Sequence, residues 1–201
     1  AYKISISDIE QYLQESGGNY KNNCNLYVKV TSKAALYGEK NFEKAKEEYK
    51  YVAEQYGDGQ YGEKAHYWYL TTLINLGETD IFEKEKDAFL IKYPGSKMKD
   101  NLLILSGEVY ESGNNNDKAL ESYKEILSTS EDKVVKESTV SKILDIHLSK
   151  NNIEEAKKYI EDITNIDTKN YYNSLIYEKQ NNKEAAMKEY EKLLESSRYK
   201  D

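Results

Sequence analysis

Gly57, Gly59 and Gly62 stand in the order G-x-G-x-x-G, the spacing with which a backbone wraps a pyrophosphate at a helix N-terminus. Such a loop has to follow a buried strand. Here it follows residues 45–56, rich in Lys and Glu and without a β-branched run, so the glycines read as a helix end and a spacer. His66 and His147 belong to no H-x-x-x-H pair, and His147 falls on a packing position. Ser141, Asp145 and His147 are the three residue types of an acyl-transfer triad. Neighbours so close on one helix cannot bring nucleophile, base and orienter into line, and no nucleophile elbow is present. Cys24 lies in Asn22-Asn23-Cys24-Asn25, with no basic neighbour to lower its pKa and no apolar lead-in of a lipidated cysteine. A single cysteine also excludes an internal disulfide and a cysteine-based zinc site. Pairs such as Glu47-Glu48 and Glu154-Glu155 alternate with lysines as on solvated helix faces. The expectation is a chain that is not an enzyme and carries no cofactor and no metal.

The elements that carry these residues follow from composition. The 201 residues hold 29 Lys plus Arg against 36 Asp plus Glu, a net charge of −7. With a pI near 5.1 there is no basic stripe to release counterions from a duplex, so nucleic acid is not an expected partner. Anionic membrane surfaces are disfavoured likewise. Ten Gly and one Pro leave few sharp turns, which points to long helices. Hydrophobic residues make up 38% and the mean hydropathy is −0.89, enough for thin helical layers and too little for one thick core. No run approaches a membrane span. The opening Ala1-Tyr2-Lys3-Ile4 has neither an initiator Met nor a signal peptide and reads as a trimmed end.

A repeat organises the chain. Ala45, Ala119, Ala156 and Ala186 each precede by four residues a Tyr or Ile: Tyr49, Tyr123, Ile160 and Tyr190. The spacings are 74 (119 − 45, twice 37), 37 (156 − 119) and 30 (186 − 156), so a copy is due at residue 82, where Phe82 stands. Each copy has an upstream helical pattern and a break before its Ala, as at Ser112-Gly113-Asn114-Asn115-Asn116, which implies two helices and a tight turn. Helices are expected at 7–16, 20–38, 41–56, 62–76, 79–92, 97–112, 116–129, 134–149, 152–165, 168–180 and 182–197. Ser7-x-x-Glu10 suits a capping box. Small Gly107 and Ala119 would let two antiparallel helices approach, with Tyr110 and Tyr123 filling the space beside them. Residues 1–19 are expected as an N-terminal helix and linker. Residues 20–201 would form copies at about 26–59, 63–96, 100–133, 137–166 and 167–201.

Leu103-x-x-Ser106-Gly107-x-x-Tyr110 followed by Ala119-x-x-x-Tyr123 resembles the tetratricopeptide repeat. The first copy keeps Leu36, Phe42, Ala45 and Tyr49, and the fifth Ser174, Tyr177, Ala186 and Tyr190. The second departs, with Phe82 for the family Ala and Lys86 for the aromatic; the fourth has His147 and Ile160. The resemblance implies an all-α fold, a right-handed α-solenoid of about five helix pairs plus an N-terminal helix. Its implied function is a non-enzymatic protein–protein scaffold that holds a partner segment in a concave groove lined by first helices. A solenoid that only associates with itself is the alternative. A 37-residue period with Ala88-Phe89-Leu90-x-x-Tyr93-Pro94-Gly95-Ser96 is similar to the bacterial cell-envelope subgroup. That similarity implies a place in the periplasm or cell envelope, with the cytoplasm as the alternative.

Phasing by the signature residues sends Tyr27, Val30, Ala34, Tyr37, Lys64, Tyr67, Trp68 and Thr71 toward the groove. Asn101, Ile104, Leu105, Glu108, Glu111, Ser141, Lys142, Asp145, Tyr171, Tyr172 and Leu175 follow. The first part is aromatic and the middle acidic, which suits a protein or peptide segment with apolar anchors and basic residues. With 20 Tyr against 3 Phe, many of these tyrosines could equally serve packing between repeats. The family's chaperone-tail clamp is not expected, because Val30, Ala34, Trp68, Asn101 and Leu105 stand at its positions.

Overall fold

The helix pairs turn where a residue can take a positive φ: Gly77 at 73°, Asn114 and Asn151 at 57°, and Asn181 at 58°. Gly has no Cβ penalty in this left-handed region and Asn is the side chain that tolerates it best. The next residue's N–H reaches back five positions, from Glu78 to Leu73, Asn115 to Tyr110, Asn152 to His147 and Asn182 to Tyr177, at 2.8–2.9 Å. That is the Schellman closure of a helix C-terminus. The carbonyls of these same residues then start the following helices by accepting from Phe82, Ala119, Ala156 and Ala186. Phe82 therefore occupies the position at which the period placed a copy.

The coordinates are a computed structural model that describes residues 41–55, 57 and 60–198. Among the described residues there are nine helices and no strand. They are α1 (Phe42–Gln55), α2 (Gln60–Leu76), α3 (Thr79–Lys92), α4 (Lys99–Ser112), α5 (Asn116–Thr129), α6 (Lys133–Ser149), α7 (Ile153–Ile160), α8 (Ile166–Lys179) and α9 (Lys183–Arg198). The fold is all-α and its repeated helix pairs are those of an α-solenoid. None of these helices is long and apolar enough to cross a membrane. The helices expected at 7–16 and 20–38, the Ser7–Glu10 box, Cys24, Tyr27 and Tyr37 lie outside the described residues.

The chain divides into two compact units, Ala1–Lys99 and Asp100–Asp201. In the first, Ala45, Tyr49 and Val52 of α1, Leu70 and Leu73 of α2, and Phe82 and Phe89 of α3 are fully buried. In the second, Val140, Leu144 and Leu148 of α6 pack with Ala156, Ile160 and Ile163, and with Tyr172 and Ile176 of α8. A pair thus completes its core with the first helix of the next, as repeat architectures require.

Side-chain size is traded between facing positions of a pair. A Cβ added to Gly107 would lie 2.3–2.9 Å from the fully buried ring of Tyr123. The positions equivalent to Gly107, seven residues before each left-handed residue, are Leu70, Leu144 and Ser174; those equivalent to Tyr123 are Lys86, Ile160 and Tyr190. Gly and Ser go with Tyr, whereas Leu goes with Ile or with a Lys stem, so the large ring is placed only where the residue facing it is small. Lys86 is buried with its ammonium 2.6 Å from Glu83, which explains how the second copy tolerates both of its departures.

One boundary is corrected. The second helix of the fourth copy was expected to run to residue 165, but α7 stops at Ile160. Residues 161–165 turn so that Ile163 is buried beside Ile160, and Asn165 caps α8 by accepting from the Thr168 N–H at 2.9 Å.

Candidate functional site

The groups read first for chemistry resolve into packing. Gly57 is a point of close approach: its carbonyl accepts from the Tyr93 hydroxyl at 2.7 Å, and a Cβ there would meet the Ala53 carbonyl at 2.8 Å. Gly62 is buried in α2, and the described stretch before the segment is the helix α1. His66 lies edge-on to Phe89 and Tyr93, with Nε2 3.6 Å from Glu85. His147 is stacked on Tyr159, centroids 5.8 Å apart, and neither of its ring nitrogens has a hydrogen-bond partner. Among the described residues no group of three His, Cys, Asp or Glu is arranged to hold a metal ion.

Burial holds both imidazoles below the ordinary histidine value, and the nearby Glu85 and Glu155 offset this only in part. The unfolded chain therefore binds the proton first as pH falls. The contribution of neutral His66 and His147 is fully present above about pH 6.5 and is lost as pH falls toward their folded values. The melting temperature should drop between pH 7 and pH 5. His147→Phe, which keeps a ring on Tyr159, should shrink that drop; an unchanged slope would place the titration elsewhere.

The sites expected for a partner fall on the first helices of the pairs. In the first unit, Lys64 and Trp68 are exposed and Tyr67 is half-buried on α2. Trp68, 36% exposed, stacks on Tyr49 at 6.3 Å and meets Tyr67 edge-on at 5.7 Å. Thr71 does not reach the surface: it is buried, and its hydroxyl donates to the Trp68 carbonyl at 2.9 Å. It braces the backbone under Trp68.

In the second unit α4, α6 and α8 bring together most of the polar residues expected there. Spacing of three places Glu108 and Glu111 on one side of α4, with Ile104 and Leu105 half-buried a turn before. Lys142 on α6 reaches back to Glu108 at 2.8 Å, with its ammonium 5.8 Å from the centre of the Tyr123 ring. The Tyr123 hydroxyl donates to the Glu111 carboxylate. Tyr172 of α8 lies 3.0 Å from Asp145 Oδ1 and 3.2 Å from the Ser141 carbonyl, both acceptors for its hydroxyl. Tyr171 stays 45% exposed, edge-on to Tyr172.

The electrostatics follow from who is paired with what. Burial and the adjacent Glu111 push the Tyr123 phenol far above its usual range; burial and Asp145 do the same to Tyr172. Both remain neutral donors. Asp145 is itself raised by burial and by the charge of Glu111, against the Tyr172 hydrogen bond and Lys142. Lys142 pairs with Glu108, and Glu111 and Asp145 are carboxylates that accept from the phenols of Tyr123 and Tyr172.

Sequence reasoning missed two roles. Tyr172, expected on the open surface, is 5% exposed and works as the donor that aims Asp145. Tyr123, expected as filler, also aims Glu111 from the second helix of its pair. The tetratricopeptide repeat model matches residues 141–170, from within α6 through α7 into α8, and residues 174–199, from within α8 through α9. No curated protein matches the chain.

Proposed function

We propose that the protein is a non-enzymatic scaffold for protein–protein interaction, and that the face carrying Glu108, Glu111, Lys142 and Asp145 takes a partner segment with apolar anchors and at least one Lys or Arg. Tetratricopeptide repeats mediate protein–protein interaction, and two copies match here. The observation that carries the finer reading is the pair Glu111 and Asp145, each accepting from a buried phenol, Tyr123 and Tyr172, while Lys142 is paired with Glu108. Tyr171, exposed on α8 of the same unit, supplies a flat apolar face and a cation–π acceptor for such a segment. The period and residues 88–123 favour a setting in a bacterial envelope assembly, in the periplasm.

Exposed charge pairs are worth about 1 kcal/mol or less, so the carboxylates should govern association rate and salt dependence, and the aromatics the off-rate. The test is a peptide array graded in Lys/Arg and aromatic content, read at two salt concentrations. Basic, apolar segments should bind and acidic ones should not. Glu111→Gln with Asp145→Asn should weaken binding chiefly at low salt, whereas Tyr171→Ala should weaken it at both. Indifference to peptide charge would remove the binding site from this face.

Self-association is a second reading that α9 supports. Met187 is 62% exposed where its equivalent in α5, Leu120, is 8% exposed, so α9 displays an apolar side chain at a position that α5 covers. Light scattering on a sized sample separates the readings, since the scaffold alone predicts a monomer.

A further inference from the structure

The end of each helix pair opposite its Schellman turn is also closed, by a contact that recurs in every pair from α2 onward. The Ser96 hydroxyl donates to Glu63 and the Ser130 hydroxyl to Asp100, each at 2.6 Å. Thr164 donates to Glu137 at 2.7 Å and Ser196 to Asp167 at 2.9 Å. The carboxylates are true repeat equivalents, each 14 residues before its left-handed residue (77 − 63, 114 − 100, 151 − 137, 181 − 167). The hydroxyls are not, because the clasps span 33, 30, 27 and 29 residues. A donor therefore stands wherever the returning chain meets the carboxylate, although second helices and their exits differ in length. Copying of one ancestral pattern would keep the spacing; a recurrent geometric demand for a donor does not need to.

The clasp also governs where one pair hands over to the next. Ser96 Oγ accepts from the Met98 N–H and Ser130 Oγ from the Asp132 N–H, both at 3.1 Å, and Glu137 accepts from the Asn165 N–H at 2.7 Å. Asp132 and Asn165 are the caps of α6 and α8. The hydrogen bonds from Thr164 and Asn165 hold the Glu137 carboxyl below the usual glutamate value. We infer that each carboxylate–hydroxyl clasp is a latch that shuts the open end of one helix pair, and that the first three also fix the start of the connection to the next, so that pairs open one at a time.

Amide hydrogen exchange on the full chain tests this with Ser130→Ala, Asp100→Ala, their combination, and Asp100→Asn. Loss of one hydrogen bond to a charged acceptor should speed exchange about tenfold in the last turn of α5 and the first turns of α4 and α6. The α8/α9 pair should not change. The double variant should exchange no faster than the faster single, and Asp100→Asn, which keeps an acceptor, should fall between wild type and Asp100→Ala. Additive effects in the double, or acceleration spread evenly over α4–α9, would overturn the latch. If the buried Ser130 site does not tolerate Ala, the same cycle on exposed Thr164→Val and Glu137→Ala decides, read at the end of α7 and the start of α8.

Discussion

Gly107→Leu lowers the melting temperature of the second unit by on the order of 10 °C, and adding Tyr123→Ile restores most of the loss. The first atom of the new side chain would already sit 2.3 Å from a ring carbon of Tyr123, and that ring is fully buried. A flexible chain end could swing aside. A phenol pinned in a core and hydrogen-bonded to Glu111 cannot. Overpacking costs about 1–3 kcal/mol, with Leu at the upper end, and leaving Gly inside a helix returns only about 1 kcal/mol. The double variant recreates Leu144 with Ile160, the combination that the following pair uses at the same two positions. Ala119, also fully buried, should reject Leu in the same way, while Ala119→Gly loses about 1 kcal/mol of helix propensity. Thermal melts of the three Gly107, Tyr123 and double variants decide. If Gly107→Leu is neutral, or if Tyr123→Ile fails to help it, the exchange of volume between these positions is not what sets the helix spacing.

The pairing of Gly107 with Tyr123 illustrates why so much of the fold was legible. Helix pairs of this kind put the same requirement at the same place in every copy, so Gly77, Asn114, Asn151 and Asn181 repeat with the spacings of Phe82, Ala119, Ala156 and Ala186. Even a copy that departs, with Phe82 and Lys86, keeps its phase because the turn before it is unchanged. The candidate site was legible only to the level of a helix face. Phase says that Tyr171 and Tyr172 both lie near the open side of α8, but which of them is covered depends on how α8 stacks on α6. Tyr172 is the one that reaches Ser141 and Asp145. Thr71 was misjudged for a related reason, since its hydroxyl prefers the carbonyl one turn back to the surface. The clasp hydroxyls left no periodic trace at all, because their distance from the turn varies from copy to copy.

Stacking in series also sets what a cut should do. A chain ending at Asn165 loses α8 and α9, and with them Tyr172 and Ile176 from the core that holds Leu148, Ile160 and Ile163. Each large side chain uncovered gives up about 1.5–3 kcal/mol, so several together approach the 5–15 kcal/mol that stabilises an ordinary domain. The loss is nevertheless local. Val140, Leu144 and Ala156 still face one another across α6 and α7, and all the removed residues belong to the second unit. The 1–165 chain should therefore fold, melt at a lower temperature, and show faster hydrogen exchange in α6 and α7, with α2 and α3 protected as before. Circular dichroism and exchange on the fragment provide the measurement. A fragment unfolded from end to end would mean that α8 and α9 complete one indivisible core, and the serial arrangement of pairs would have to be abandoned.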